Sequence, residues 1–127
     1  MTTTETTTQD TTDDQATTIR LYRDGAPPLR FRGWLRGKAS SREHNGPSSS
    51  RWTTVEIYET AAGKAVLSIV GYSLWQGETT RHSAIVLPTF EDTKIAKALS
   101  DQNDGYLSIV AKDAMDDADL DYAEEIE

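Results

Sequence analysis

Alternation of apolar and polar positions, and its later change of period, divides the chain into a strand-forming half and a helix-forming half. "TIRLYRD" sets Ile19 and Leu21 against Thr18, Arg20 and Tyr22, the pattern of a half-buried strand that stops at the turn signal "DGAPP". "LRFRGWLRGKASS" repeats the pattern, with Leu29, Phe31 and Gly33 against Arg30, Arg32 and Trp34, and predicts a second strand with a bulge at Gly33. "RWTTVEIYET" places Thr53, Val55 and Ile57 opposite Trp52, Thr54, Glu56 and Tyr58. The turn "AAGK" then leads into "AVLSIVGYSLW", the most apolar strand. Gly77 supplies another turn before "RHSAIVLP", where Pro88 cannot donate to a ladder and ends the run.

Beyond Pro88 the spacing becomes helical. "TFEDTKIAKALSD" has Thr89 placed as an N-cap, acids in the first turn, and Ile95, Ala98 and Leu99 on one face. "QNDGYLSIVAKDAMDDA" puts Leu107, Val110, Ala111, Ala114 and Met115 on another helical face. Strands first and helices afterwards predict an α+β fold: an antiparallel meander of four to five strands with two C-terminal helices packed on one face.

Composition assigns the ends. Ten of the first eighteen residues are Thr and most of the others are acidic or amide, so 1–18 is expected to be a disordered tail, 19–118 the single domain and 119–127 an acidic C-terminal tail. "SSREHNGPSSS" between the second and third strands is expected to be a flexible loop. There is no cysteine, so neither a disulfide framework nor a thiolate site exists. No run approaches the ~20 apolar residues of a membrane span, and no signal-peptide pattern opens the chain, so a cytoplasmic protein without membrane contact is expected.

Charge changes the functional picture more than composition does. The net charge is −8, which opposes bulk attraction to nucleic acid. Its distribution is uneven: residues 1–17 carry −4, residues 18–52 carry +6 from eight bases against Asp24 and Glu43, and the remainder carries −10. The basic segment is interleaved with aromatic residues. Arg30, Arg32, Trp34 and Arg36, with Arg51 and Trp52, are the candidate binding residues, because guanidinium forks match carboxylate and phosphate oxygens and aromatic faces stack on planar groups.

Catalytic signals are sparse. His44 and His82 are the only imidazoles and lack metal-ligand spacing; Gly-x-Ser-x-Gly and the phosphate-loop frame are absent. The expectation is a non-enzymatic accessory or regulatory binding module without cofactor or metal, acting through its sheet and basic strand on a protein partner or as a homodimer. Nucleic acid is the alternative partner, and a hydrolase or metal enzyme using His82 is the minority alternative.

The stretch Tyr58, Thr60, Gly63 and Lys64 forms a Y-x-T-x-x-G-K hairpin that resembles EXLDI-type proteins, small uncharacterised accessory proteins of haloarchaeal and actinobacterial plasmids and mobile elements. The likeness runs over 51–78 and more weakly over 104–118. At the C-terminal motif the chain keeps Leu120 and Asp121 but has Ala118 and Tyr122 at the flanking positions. The resemblance implies an accessory role and no particular reaction. The acidic excess and five lysines also look like a salt-adapted, halophilic proteome.

Overall fold

The computed structural model describes residues 15–42 and 50–123. The first fourteen residues, the loop positions 43–49 with His44, and the last four acidic-tail positions lie outside the described residues.

Five strands, β1 (Thr17–Arg23), β2 (Ala26–Ser40), β3 (Arg51–Thr60), β4 (Ala65–Ser73) and β5 (Arg81–Leu87), form one sheet in the order of the chain, every neighbour antiparallel. Two helices follow, α1 (Asp92–Asp101) and α2 (Ile109–Asp117). This is the expected α+β meander with its helices against the sheet. Ser108 caps α2 by accepting from the Ala111 amide at 3.1 Å, so Leu107 precedes the helix. The N-cap of α1 is Glu91 rather than Thr89, and it makes no side-chain capping bond. After α2, Leu120 and Tyr122 pack back on the core, and the Asp121 amide donates to Asp92 at 2.9 Å.

The hairpin between β3 and β4 has the cleanest local logic. The Thr60 amide donates to the Lys64 carbonyl at 2.8 Å, the Thr60 hydroxyl accepts from the Lys64 amide at 2.9 Å, and Gly63 adopts φ +87°, a conformation that favours glycine. Three of the four residues that carry the sequence resemblance, Thr60, Gly63 and Lys64, are therefore the ones that make this turn.

Alternation in β3 and β4 produces two apolar faces. On one, Val55, Ile57, Ala65 and Leu67 meet Ile95 and Leu99 of α1 and Val110, Ala111, Ala114 and Met115 of α2. On the other, Tyr58, Val66 and Val70 are also buried, although they are not part of the helix-covered cluster. Curvature of the sheet encloses them. Phe31 of β2 stands edge-on to Tyr58 at 5.5 Å between ring centroids. At the opposite edge the Asp24 amide donates to the His82 carbonyl at 3.0 Å, and the His82 amide donates to the Asp24 carboxylate at 2.9 Å. These two bonds tie the end of β1 to the outer edge of β5 and nearly close the meander into a barrel.

Strand β2 serves both faces because of one irregularity. Leu35 pairs with Tyr58 and Gly37 with Ile57, so Arg36 is an extra residue and the side-chain alternation inverts across it. Before the bulge the odd residues Leu29, Phe31 and Gly33 share the inner face; after it Gly37 and Ala39 face the helices. The bulge thus lies at 35–37 rather than at Gly33. Gly33 instead permits close approach of β3, because a Cβ there would sit 2.3 Å from the Glu59 carbonyl oxygen. Gly37 likewise lets α2 approach, since its Cβ would lie 2.3 Å from the Ala114 carbonyl oxygen.

Candidate binding surface and groove

The helices cover the sheet only as far as the second half of β2, leaving the outer face of β1 and the first half of β2 bare. Register places Arg20 directly opposite Arg30, and Thr18 opposite Arg32. Trp34 opposes Glu59, and Arg36 donates to Glu59 at 2.9 Å while its guanidinium carbon lies 4.8 Å from the centre of the Trp34 ring. Arg30, Arg32, Trp34 and Arg36 therefore do share one face, with Arg20 added by pairing. Sequence spacing within β2 could not identify Arg20 as their neighbour, because its place depends on the register between two strands.

The partners of these arginines differ along the face. Arg36 is neutralised by Glu59. Arg32 donates to the Ala16 carbonyl at 3.0 Å, and Arg20 lies 5.9 Å from the ring centre of Tyr22, which is 62% exposed. Among the described residues, no acidic side chain forms an ion pair with Arg20, Arg30 or Arg32. Of the helix acids, Asp101 holds Lys97, and Asp117 accepts from the Lys38 amide. Like charges directly opposed across strands are unfavourable in the isolated protein. That arrangement is chemically suited to an incoming anion.

Arg51 and Trp52 belong to a different place, the end of the sheet where Arg51 pairs with Ser73 and Trp52 with Tyr72. The Trp52 and Tyr72 rings stack at 5.3 Å and 17°, and the Arg42 guanidinium lies 4.1 Å from the Trp52 ring centre. Beside this wall is an open groove of about 670 Å³, lined by Arg51, Arg81, Thr53, Ser73, Thr79 and Glu78 together with the aromatic pair. Arg51 grips Glu78 through two bonds of 3.0 and 2.5 Å, and the Ser73 hydroxyl donates to the same carboxylate. These hydrogen bonds, first from Arg51 and then from Ser73, hold the Glu78 carboxyl down at about 2. The same partnership raises the Arg51 guanidinium above its ordinary value.

Of two residues at this end of the sheet, one departs from its sequence pattern and one keeps it. Trp75, placed at the end of the run "AVLSIVGYSLW", lies beyond the strand, is 56% exposed, and donates its ring N–H to the Ser50 hydroxyl at 2.6 Å. His82 is a strand residue, as expected; its backbone makes the edge closure and its ring stands 6.2 Å from Tyr22. Among the described residues no cluster of three or more His, Asp or Glu side chains is arranged to hold a metal ion. Also among the described residues, no helix is long and apolar enough to cross a membrane.

Fold and surface together define a small α+β protein whose curled meander carries a bare arginine face and a separate polar groove. Compared with protein-family models, curated proteins and solved structures, the chain matches none.

Proposed function

We propose that this protein is a non-enzymatic binding module that presents the outer face of β1 and β2 to an acidic segment of a protein partner. One observation carries the reading: Arg20 and Arg30 are cross-strand neighbours, flanked by Arg32, with no ion-paired acid of their own among the described residues. A carboxylate-bearing segment lying across the strands would relieve this repulsion and use the guanidinium forks bidentately. The net charge of −8 favours a peptide with discrete carboxylates over a long polyphosphate, whose field meets repulsion from the rest of the molecule. An accessory role in a mobile element of a salt-adapted cytoplasm agrees with the resemblance and with the acidic composition.

Nucleic acid is the second reading, favoured by the exposed Tyr22 ring beside Arg20. Capture from the protein's own cell extract, with and without nuclease, separates the two. Nuclease-resistant capture of a partner through an acidic segment, lost in the Arg20→Glu, Arg30→Glu double variant, is the expected result. Capture abolished by nuclease favours the second reading, and capture unaffected by the double substitution contradicts both.

A further inference from the structure

The groove at the Arg51 end is separate from the arginine face, and its internal chemistry indicates a ligand. Two guanidiniums, Arg51 and Arg81, border it, and among the described residues one carboxylate, Glu78, lines it. That carboxylate already sits as an anionic ligand would, in the fork of Arg51 and accepting from the Ser73 hydroxyl. The Arg81 guanidinium lies beside Gly71, where a Cβ would come 3.7 Å from it, and among the described residues no acid forms an ion pair with it.

Glu78 is also poorly anchored by its backbone. It follows Gly77, at φ +87°, in the connection between β4 and β5, where Leu74 and Trp75 are largely exposed. Its amide donates to the Trp75 carbonyl at 3.1 Å, a local turn contact rather than a sheet bond. The pair is exposed to solvent, so water and an incoming anion can replace its partners as the carboxylate rotates out of the groove.

From this arrangement we infer that the groove is a binding site for a phosphate monoester, which displaces Glu78 and is held between Arg51 and Arg81. A carboxylate has two oxygens and satisfies one fork. The terminal oxygens of a phosphate monoester can take both forks, with the hydroxyls of Ser73, Thr53 and Thr79 among the lining groups. The stacked Trp52 and Tyr72 form a rigid wall beside it.

The test is an amide chemical-shift titration of the full chain, first with inorganic phosphate, then with a phosphoserine peptide and with a nucleoside monophosphate, which distinguish the two sources of the group. Saturable shifts at Gly71, Ser73 and Gly77 are expected in the wild type. Glu78→Gln should bind several-fold tighter, because the internal carboxylate is neutralised, and Arg81→Gln should lose saturable binding. Both side chains are solvent-facing, so the folded spectrum outside the groove should be preserved in each variant. Shifts that fail to saturate in both the wild type and Glu78→Gln would overturn the proposal, as would Arg81→Gln binding as tightly as the wild type. Glu78→Gln binding no tighter than the wild type would overturn the displacement of Glu78. Binding of an acidic peptide at Arg20 and Arg30 is independent of these substitutions, so the outcomes there and here are distinguishable.

Discussion

The two faces of β4 bury adjacent residues by different means. Leu67 is sealed under two helices, whereas its neighbour Val66 is sealed by the curl of the sheet itself, and each is almost fully inaccessible. The helix-covered face is a conventional layered core. The enclosed face depends on β1 and the first half of β2 bending across it, and on the contacts of Asp24 with β5. The difference teaches that the arginine face is the outer surface of the strands that close the inner core. The proposed contact surface and the closure of the sheet therefore belong to one segment.

Truncation on each face measures how far the two cores differ. Leu67→Ala should cost about 3–5 kcal/mol, since it opens a cavity between packed helices and strands that have little freedom to collapse. Val66→Ala removes less volume on a face that can tighten its curl, and should cost about 1–2 kcal/mol. Chemical denaturation of both variants checks the order. Equal losses would mean that the enclosed face is as rigidly packed as the layered one.

Asp24→Ala tests the closure alone. It removes the carboxylate that accepts from the His82 amide and leaves the backbone bond in place, so a loss of about 1 kcal/mol is expected. Hydrogen exchange should report faster exchange at His82 and little change at Ile57 in the layered core.

A smaller effect is expected at the groove. The Glu78 carboxyl is depressed from 4.5 to about 2, so its contribution to stability is present above pH 4.5 and is lost as the pH falls toward 2. A pH series of thermal melts should show a shallow decline over that interval in the wild type, absent in Glu78→Gln.

How much of this was legible in the chain follows from the range of each determinant. The β3 and β4 hairpin was readable, because alternation over Val55 and Ile57 and the Gly63 turn are local signals. The inner core was not. Leu29 and Phe31 alternate correctly with Arg30 and Arg32, yet nothing local says that Phe31 crosses over Tyr58 or that Asp24 meets His82, contacts separated by 27 and 58 residues. The bulge at Arg36 concealed the rest, since it inverts the alternation midway through β2 and gives one strand two cores to serve. For the candidate binding residues, spacing grouped Arg30, Arg32, Trp34 and Arg36, and the structure places these four on one face. Spacing joined Arg51 and Trp52 to them only because they are close in charge pattern, while register carries those two to the end of the sheet. Glu78 and Arg81 carried no signal as binding residues, because their meaning arises only when β3, β4 and β5 converge.

The central claim is that the bare cross-strand arginines are the contact surface for an acidic polypeptide. Fluorescence anisotropy of a labelled Glu-rich peptide and of a labelled single-stranded oligonucleotide, each titrated with wild type and with Arg30→Glu at matched salt, tests it most directly. Saturable peptide binding that Arg30→Glu abolishes, with weaker oligonucleotide binding, is the predicted result. Peptide binding unchanged by Arg30→Glu, or tighter binding of the oligonucleotide by the wild type, would contradict it.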